Sequence, residues 1–299
     1  NGPVVVKVDG LAGGKGSFVC KNTGEALRAV EEIMEERAFG PAGERVVVEE
    51  YLEGEEVSVL ALTDGKTIVP LEPVQDHKAL YGGDKGPNTG GMGAYSPVPL
   101  FNAGLASRVE KEILVPTVHA MKREGRSYKG VLYVGLMVTA IGPRVLEYNV
   151  RFGDPETQPL LMRLDGDLLG LLLATVEDRL EEADFGWDPR AALCVVMTSA
   201  GYPGNYEKGK EIKGVETLSG REDLMVFHAG TTLKQKKVVT AGGRVLGVTA
   251  LGKDLQEAQK KAYEAAGKIS FDGAYYRRDI GWRALQKLGV RGQGLGARV

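Results

Sequence analysis

The sequence predicts an α+β protein, a larger first part followed by a separate small α+β domain. Three observations predict this. Short apolar, β-branched runs recur along the chain, and only a few stretches between them carry helical spacing. The composition shifts near Gly186–Arg190, after which strands and one helix form a series of their own. At 299 residues and 43% hydrophobic, the chain can fill more than one core at roughly 100–200 residues per domain.

The elements follow in order. Pro3–Val8 reads as a buried strand, Asp9–Gly16 (DGLAGGKG) as a glycine-rich loop, and Ser17–Cys20 as a returning strand. Asn22 and Glu25 stand at the spacing of an N-cap and its N3 acid, which starts a helix over about Thr23–Ala38. Strands are expected at Arg45–Glu50, Glu56–Thr63 and Lys66–Val69, the last two joined by the Asp64-Gly65 turn. Glu72–Pro97 has no clear period and holds six glycines, so it reads as a long functional loop. A helix kinked by Pro116 covers about Asn102–Glu124. Val131–Thr139 and Arg144–Phe152 form a hairpin across Gly142-Pro143, and an apolar helix spans about Asp167–Leu180. After the composition shift come strands at Leu193–Thr198, Met225–His228, Val238–Val239 and Val245–Ala250, then a helix over Leu255–Lys268. Gly289–Val299 has four glycines and no pattern, and reads as a tail.

Composition excludes several classes. The chain has 42 glycines, about twice ordinary usage, but no collagen-like period and too little proline for low-complexity disorder. With 38 basic and 40 acidic residues it shows no electrostatic footprint for nucleic acid. Cys20 and Cys194 cannot build a disulfide framework, which fits a reducing cytosol. The longest apolar run, Leu168–Val176, is too short to cross a bilayer, and no signal or transit segment is seen. A cytoplasmic protein that binds neither membrane nor nucleic acid is expected. Asn1 is followed at once by a strand-like run, so a fragment lacking its N-terminal part is also expected.

Four motifs carry chemistry. In DGLAGGKG, glycines let backbone N–H groups crowd around a phosphate, and Lys15 adds charge. A Walker A reading fails because Asp9 and Gly16 stand where its first glycine and its Ser or Thr should be. A plain hairpin is the alternative, yet it rarely needs four glycines and a lysine in seven residues. The second motif, EEYLEGEEVS (Glu49–Ser58), is by composition alone a set of acids on a solvated turn. The third, QDHKALYGGDKGPNTGGMGAYSP (Gln75–Pro97), packs Asp76, His77, Lys78, Asn88 and Thr89 between glycines that could close over a ligand. The fourth, RVLEYNVRFGDPE, alternates with period two: Glu147, Asn149 and Arg151 on one face, Leu146, Tyr148, Val150 and Phe152 on the other. Glu and Asn offer hard oxygen ligands to a magnesium ion shared with phosphates, and Arg151 could neutralise a transferring phosphoryl group. A half-exposed strand of mixed residues is the alternative. Asp154 and Glu156 keep two further carboxylates near the strand end.

Together these motifs resemble the phosphoribosylamine–glycine ligase (glycinamide ribonucleotide synthetase) family of the ATP-grasp superfamily. The ordered match runs VVKVDGLAGGKG, EEYLEGEEVS, QDHK, GPNTGGMGAYSP, LEYNVRFGDPETQ, SAGYPGNYEKG, VFHAG and GGRVLGVTA, over nearly all of residues 1–283. The resemblance implies an ATP-grasp fold of two α+β lobes: a mobile lobe at 1–60 and a main lobe at 61–188. A small C-terminal α+β domain at 189–288 and the Gly-rich tail at 289–299 would follow. It implies ligation of glycine to 5-phosphoribosylamine with ATP and Mg²⁺ or Mn²⁺, through a glycyl phosphate, in purine biosynthesis. An ATP-binding fragment, inactive without an N-terminal domain, is the alternative, and fusion or association with other purine enzymes is conceivable.

Carried over by position, Lys7, Gly10, Gly13, Gly14, Lys15 and Gly16 should contact ATP phosphates. Glu49, Glu50 and Leu52 should hold adenine, and Glu56 the ribose. Glu147 and Asn149 should ligate the metal, with Arg151 and Asp154 catalytic. Asp76, His77, Lys78, Asn88, Thr89, Gly90 and Gly91 should bind the substrates. Two departures stand out: nothing here corresponds to the family's N-terminal domain, and Val131–Thr139 lacks the acid that many ATP-grasp enzymes place before Glu147.

Overall fold

β-Branched residues at positions 4–6 and 8 form β1 (Val4–Val8), the central strand of an antiparallel sheet. Its neighbours are β2 (Ser17–Cys20) and β3 (Val46–Glu50). The computed structural model describes residues 2–12 and 16–289. Helix α1 (Thr23–Val30) starts where expected: Asn22 Oδ1 accepts from Glu25 N–H at 3.0 Å, and Glu25 Oε2 accepts from Lys21 N–H at 2.8 Å. It does not run on to Ala38 as an α-helix. A π-helical turn, Glu31–Glu35, replaces the last stretch and presses Ile33 into a small core with Val6, Cys20 and Ala29. These elements form one compact unit, Asn1–Gly54, and Glu55–Val299 forms a second. The first boundary therefore falls at the start of the strand that carries Glu56, six residues before the expected one.

The second unit opens with β4 (Glu55–Thr63), buried from Val57 onward, and β5 (Ile68–Pro70). Between them the Asp64 carboxylate accepts from Lys66 and Thr67 N–H, and Gly65 takes φ +87°. The stretch expected as a long loop is largely paired. It contains β6 (Gln75–Asp76), β7 (Ala79–Tyr81), β8 (Lys85–Asn88) and β9 (Gly93–Ser96). Local period missed these strands because their partners are distant or very short.

The next helix is broken as α2 (Ala103–Val109), a π turn at Glu110–Leu114, and α3 (Val115–Arg123), with Pro116 in the first turn of α3. Pro116 has no N–H to donate, and it stands just after the wider π turn, within an otherwise continuous helical run. Strands β10 (Gly130–Thr139) and β11 (Gly142–Asn149) follow, so Gly142 and Pro143 lie in a strand and the turn is Ala140-Ile141. The first sheet has the order β11–β10–β4–β5. Helix α4 (Thr157–Arg163), β12 (Leu164–Asp165), the apolar α5 (Leu168–Val176) and β13 (Gly186–Trp187) complete this part.

The remaining strands are β14 (Ala191–Thr198), β15 (Leu224–His228), β16 (Thr231–Lys234), β17 (Lys237–Thr240) and β18 (Arg244–Gly252). Helix α6 (Leu255–Ala266), capped by Asp254, and α7 (Trp282–Lys287) close the described chain. The second sheet has the order β15–β18–β14–β9–β6. Residues 75–96 thus share a sheet with residues 191–252, and one core cluster takes Val59, Leu132, Leu193, Val248 and Ala258 together. The expected pieces 61–188 and 189–288 are woven into one unit. No helix among the described residues is long and apolar enough to cross a membrane.

Candidate functional site

In the first unit, the residues expected on the phosphate side line β1 and the loop after it. Val8 N–H donates to Gly16 O at 2.8 Å and closes the loop at its base. Asp9 and Gly10 N–H donate to the carbonyls of Arg45 and Ala42. A Cβ on Gly10 would lie 2.5 Å from Ala42 Cα, so that approach needs glycine. Lys7 Nζ is 2.7 Å from the Glu49 carboxylate. Glu50 is exposed at the end of β3, and Leu52 is half-buried just beyond it. Gly13, Gly14 and Lys15 lie outside the described residues, as do positions 290–299 of the expected tail.

In the second unit, one face of the first sheet gathers the polar residues. Glu147 opposes Gly135, which opposes Ser58; Asn149 opposes Tyr133. A bulge controls this, because Leu136 opposes Val145 and leaves Leu146 as the extra residue. Without it Glu147 would share a face with Val145, which packs on the helix-covered core. The bulge turns Glu147 and Asn149 together to the side of Tyr133 and Ser58. β11 ends at Asn149, so Arg151 lies past the alternating strand; it is exposed, and its Nη1 donates to Phe152 O at 2.8 Å.

Glu147 and Asn149 form no side-chain hydrogen bond or salt bridge among the described residues. No group of three or more His, Cys, Asp or Glu there is arranged to hold a metal by itself. Two hard oxygen donors on one face fit a magnesium-like ion that completes its shell with phosphate and water. They do not make a self-sufficient protein cage.

Behind this face, Glu156 is 4% exposed. Its Oε1 accepts from Tyr133 Oη at 2.7 Å and from Ser58 Oγ at 3.1 Å. Lys78 Nζ is 2.6 Å from Glu56. Burial works against the Lys78 ammonium, but Glu56, Asp76 and Glu147 outweigh it and hold its pKa above the ordinary lysine value. Asp76 Oδ1 is buried without a hydrogen-bond partner. Burial first, and the Glu156 charge second, push the Asp76 pKa well above the usual carboxyl range, against the pull of Lys78 and Arg244.

The Asn88–Gly91 segment is tied back to this site. Thr89 donates to Lys78 O through both its N–H and its hydroxyl, each at 2.8 Å. Thr89 Oγ1 in turn accepts from Gly91 N–H at 3.0 Å. Gly91 has φ +112°, and a Cβ there would lie 2.8 Å from Asp76 Oδ1. Asn88 is exposed.

His77 is fully buried and turned the other way. Its Nε2 accepts from Gly281 N–H at 3.0 Å, which puts the ring proton on Nδ1, 3.7 Å from Asp84 Oδ1. That distance is too long for a hydrogen bond. Burial lowers its pKa to about 4, so the ring is neutral. Both neighbours of the ring are groups of the fold itself.

Several residues of the site were not singled out from the sequence. Asp154 was, but its partner Arg244 was not: Nη2 is 3.0 Å from Asp154 Oδ2. In the sequence Glu156 shows only as a carboxylate near the strand end. Arg244 and Tyr202 stand inside GGRVLGVTA and SAGYPGNYEKG, motifs in which no chemistry could be read from residue type.

This geometry defines an ATP-grasp architecture, and comparison with known proteins agrees. The model of the phosphoribosylglycinamide synthetase ATP-grasp (A) domain matches residues 1–157, and that of the C domain matches residues 192–283. The chain belongs to the phosphoribosylglycinamide synthetase family. It is 56% identical over 283 residues to a phosphoribosylamine–glycine ligase of Rhodopirellula baltica, covering 94% of this chain and 65% of that protein. The crystal structure of phosphoribosylamine–glycine ligase from Thermotoga maritima superposes with a TM-score of 0.79 at 36% identity, covering 94% of this chain and 69% of that one. The biotin carboxylase domain of Hydrogenobacter thermophilus 2-oxoglutarate carboxylase, solved with MgADP, shares the fold at TM-score 0.67 and 18% identity, covering 92% and 58%. The chain spans about two thirds of the length of the curated relatives it matches, 65–67% for the first three.

Proposed function

We propose that the protein ligates glycine to 5-phospho-D-ribosylamine at the expense of ATP, giving glycinamide ribonucleotide, ADP and phosphate. A glycine carboxylate oxygen attacks the γ-phosphorus and ADP leaves. The ribosylamine nitrogen then attacks the acyl carbon, phosphate leaves, and the nitrogen loses a proton. The observation that carries this reading is the family match on both its ATP-grasp and C segments. No covalent enzyme intermediate is required, so catalysis rests on positioning and charge neutralisation.

Lys7 and the Gly10–Gly16 loop, with Gly13, Gly14 and Lys15, are assigned to the ATP phosphates. Glu49, Glu50 and Leu52 are assigned to adenine, and Glu56 to ribose. Glu147 and Asn149 are assigned to Mg²⁺ or Mn²⁺, which would supply positive charge to the phosphates. Their lack of other side-chain partners among the described residues supports this. Arg151, exposed just past the strand end, is assigned to the transferring phosphoryl group. Asp76, Lys78, Asn88, Thr89, Gly90 and Gly91 are assigned to the two substrates. An amine contact at Asp76 is supported by its buried oxygen without a donor. His77 is assigned to holding Asp76 and Lys78 in place. A cytoplasmic setting is supported by two unpaired, buried cysteines.

The test is ADP release by the 299-residue chain with ATP, divalent metal, glycine and 5-phospho-D-ribosylamine. Release that requires both substrates and metal is expected. ADP formation indifferent to glycine or to the ribosylamine would contradict the reading.

A further inference from the structure

Arg244 is the first residue of β18, and its guanidinium reaches two turns that carry functional residues. Nη1 donates to Gly90 O at 2.5 Å and to Asp154 O at 2.6 Å, while Nη2 donates to Asp154 Oδ2 at 3.0 Å. Tyr202 holds the same residue through the preceding peptide, its hydroxyl oxygen accepting from Gly90 N–H at 3.0 Å. A Cβ on Gly90 would lie 2.9 Å from Arg244 Cζ, so glycine lets the guanidinium approach the peptide. Gly90 and Asp154 belong to the segment matched by the ATP-grasp model, whereas Tyr202 and Arg244 belong to the C segment. The rigid fork serves two carbonyls and a carboxylate from two nitrogens in a fixed geometry, which an ammonium on a flexible stem does not reproduce.

We infer that Arg244 is a positioning residue. It ties the Gly90 turn to the Asp154 turn, so that Asn88–Gly91 and Arg151–Asp154 keep a fixed spacing around bound substrate, and Tyr202 completes the grip. The C segment thereby acts on the chemistry without supplying a reacting group. This rests on the ligase reading above for what the two turns hold. It goes beyond that reading in giving the C segment a task in substrate affinity.

The experiment compares wild type, Arg244→Lys and Tyr202→Phe in the ADP-release assay, together with amide exchange of Gly90 by NMR. Arg244→Lys keeps the charge but loses the fork. It should raise KM for glycine and for the ribosylamine about tenfold or more, with KM for ATP within about twofold. Tyr202→Phe, which removes one oxygen, should raise the same two constants roughly threefold. In both variants Gly90 N–H should exchange faster, while amides of β11 keep their wild-type rates. An active wild type whose variants keep the parental KM values overturns the positioning role alone. Unchanged Gly90 exchange in both variants overturns the tie itself. A wild type that releases no ADP with both substrates overturns the ligase reading, and the positioning role with it.

Discussion

Within Asp76–Lys78, neighbouring side chains meet two surroundings that differ in how fully their charges are matched. On the His77 side the charges are matched, although His77 Nδ1 is buried without a hydrogen-bond partner. Arg277 is 1% exposed and bonds Asp279 through Nε and Nη2, each at 2.8 Å, and Asp84 and Ala79 O through Nη1. Arg283 takes the other Asp84 oxygen at 2.6 Å. Burial works against the Asp84 carboxylate, but Arg283 and Arg277 outweigh it and hold its pKa below the usual range. On the side of Asp76 and Lys78 the match is incomplete. Four carboxylates, of Glu56, Asp76, Glu147 and Glu156, surround Lys78 and Arg244, and Asp76 Oδ1 has no donor. Folding alone does not favour an unpaired buried oxygen and surplus negative charge. On one side the chain matches its own charges; on the other, negative charge is left over for what binds.

The largest expected effect breaks the finished side. Arg277→Met leaves the half-buried Asp84 and Asp279 without their shared cation, though Asp84 keeps Arg283, and should cost about 3 kcal/mol in urea unfolding. A loss under about 1 kcal/mol would remove this network from the structural role given to it. Next in size, Glu147→Gln on the open side should lower turnover about 10²–10³-fold while leaving the thermal midpoint nearly unchanged. A large fall in the midpoint would show that Glu147 serves the fold instead.

His77 sharpens the contrast through pH. Its folded pKa of about 4 lies below its ordinary 6.5, so the unfolded chain binds the extra proton between those values. The neutral ring therefore contributes stability that is fully present above pH 6.5 and is lost as pH falls through 4. The shift corresponds to roughly 3 kcal/mol across that window. His77→Gln should flatten the stability–pH curve between pH 4 and 6.5 relative to wild type; superimposable slopes would contradict the assignment. The smallest effect is at the tie between Lys78 and the Gly91 turn. Thr89→Val removes the hydroxyl that links Lys78 O to Gly91 N–H, and should cost about 1–2 kcal/mol by denaturant unfolding.

Much of this was legible in the sequence where the signal is local. The Asn22–Glu25 cap, the strand β2 and the polar pairing of Glu147 with Asn149 follow from spacing alone. Features that depend on distant partners were not. The paired strands within 72–97 find part of their sheet at Ala191–Thr198, about a hundred residues later, so no local period marks them. The bulge at Leu146 is set by register against Gly135 and Leu136. His77 and Lys78 are adjacent in sequence, and only Gly281 N–H on one and Glu56 on the other separates their roles. Arg244 looks like an ordinary strand residue until Gly90 and Asp154 are brought to it.

The most direct test sets those two adjacent residues against each other in one assay. Lys78→Met and His77→Gln are each measured for ADP release at pH 7.5 with saturating metal, ATP, glycine and 5-phospho-D-ribosylamine. Lys78→Met should lose about two orders of magnitude in turnover, with some loss of unfolding stability as Glu56 loses its ion-pair partner. His77→Gln should keep turnover within a few-fold of wild type. A chain in which His77→Gln abolishes turnover while Lys78→Met leaves it intact would contradict the division into a ligand-binding side and a structural one.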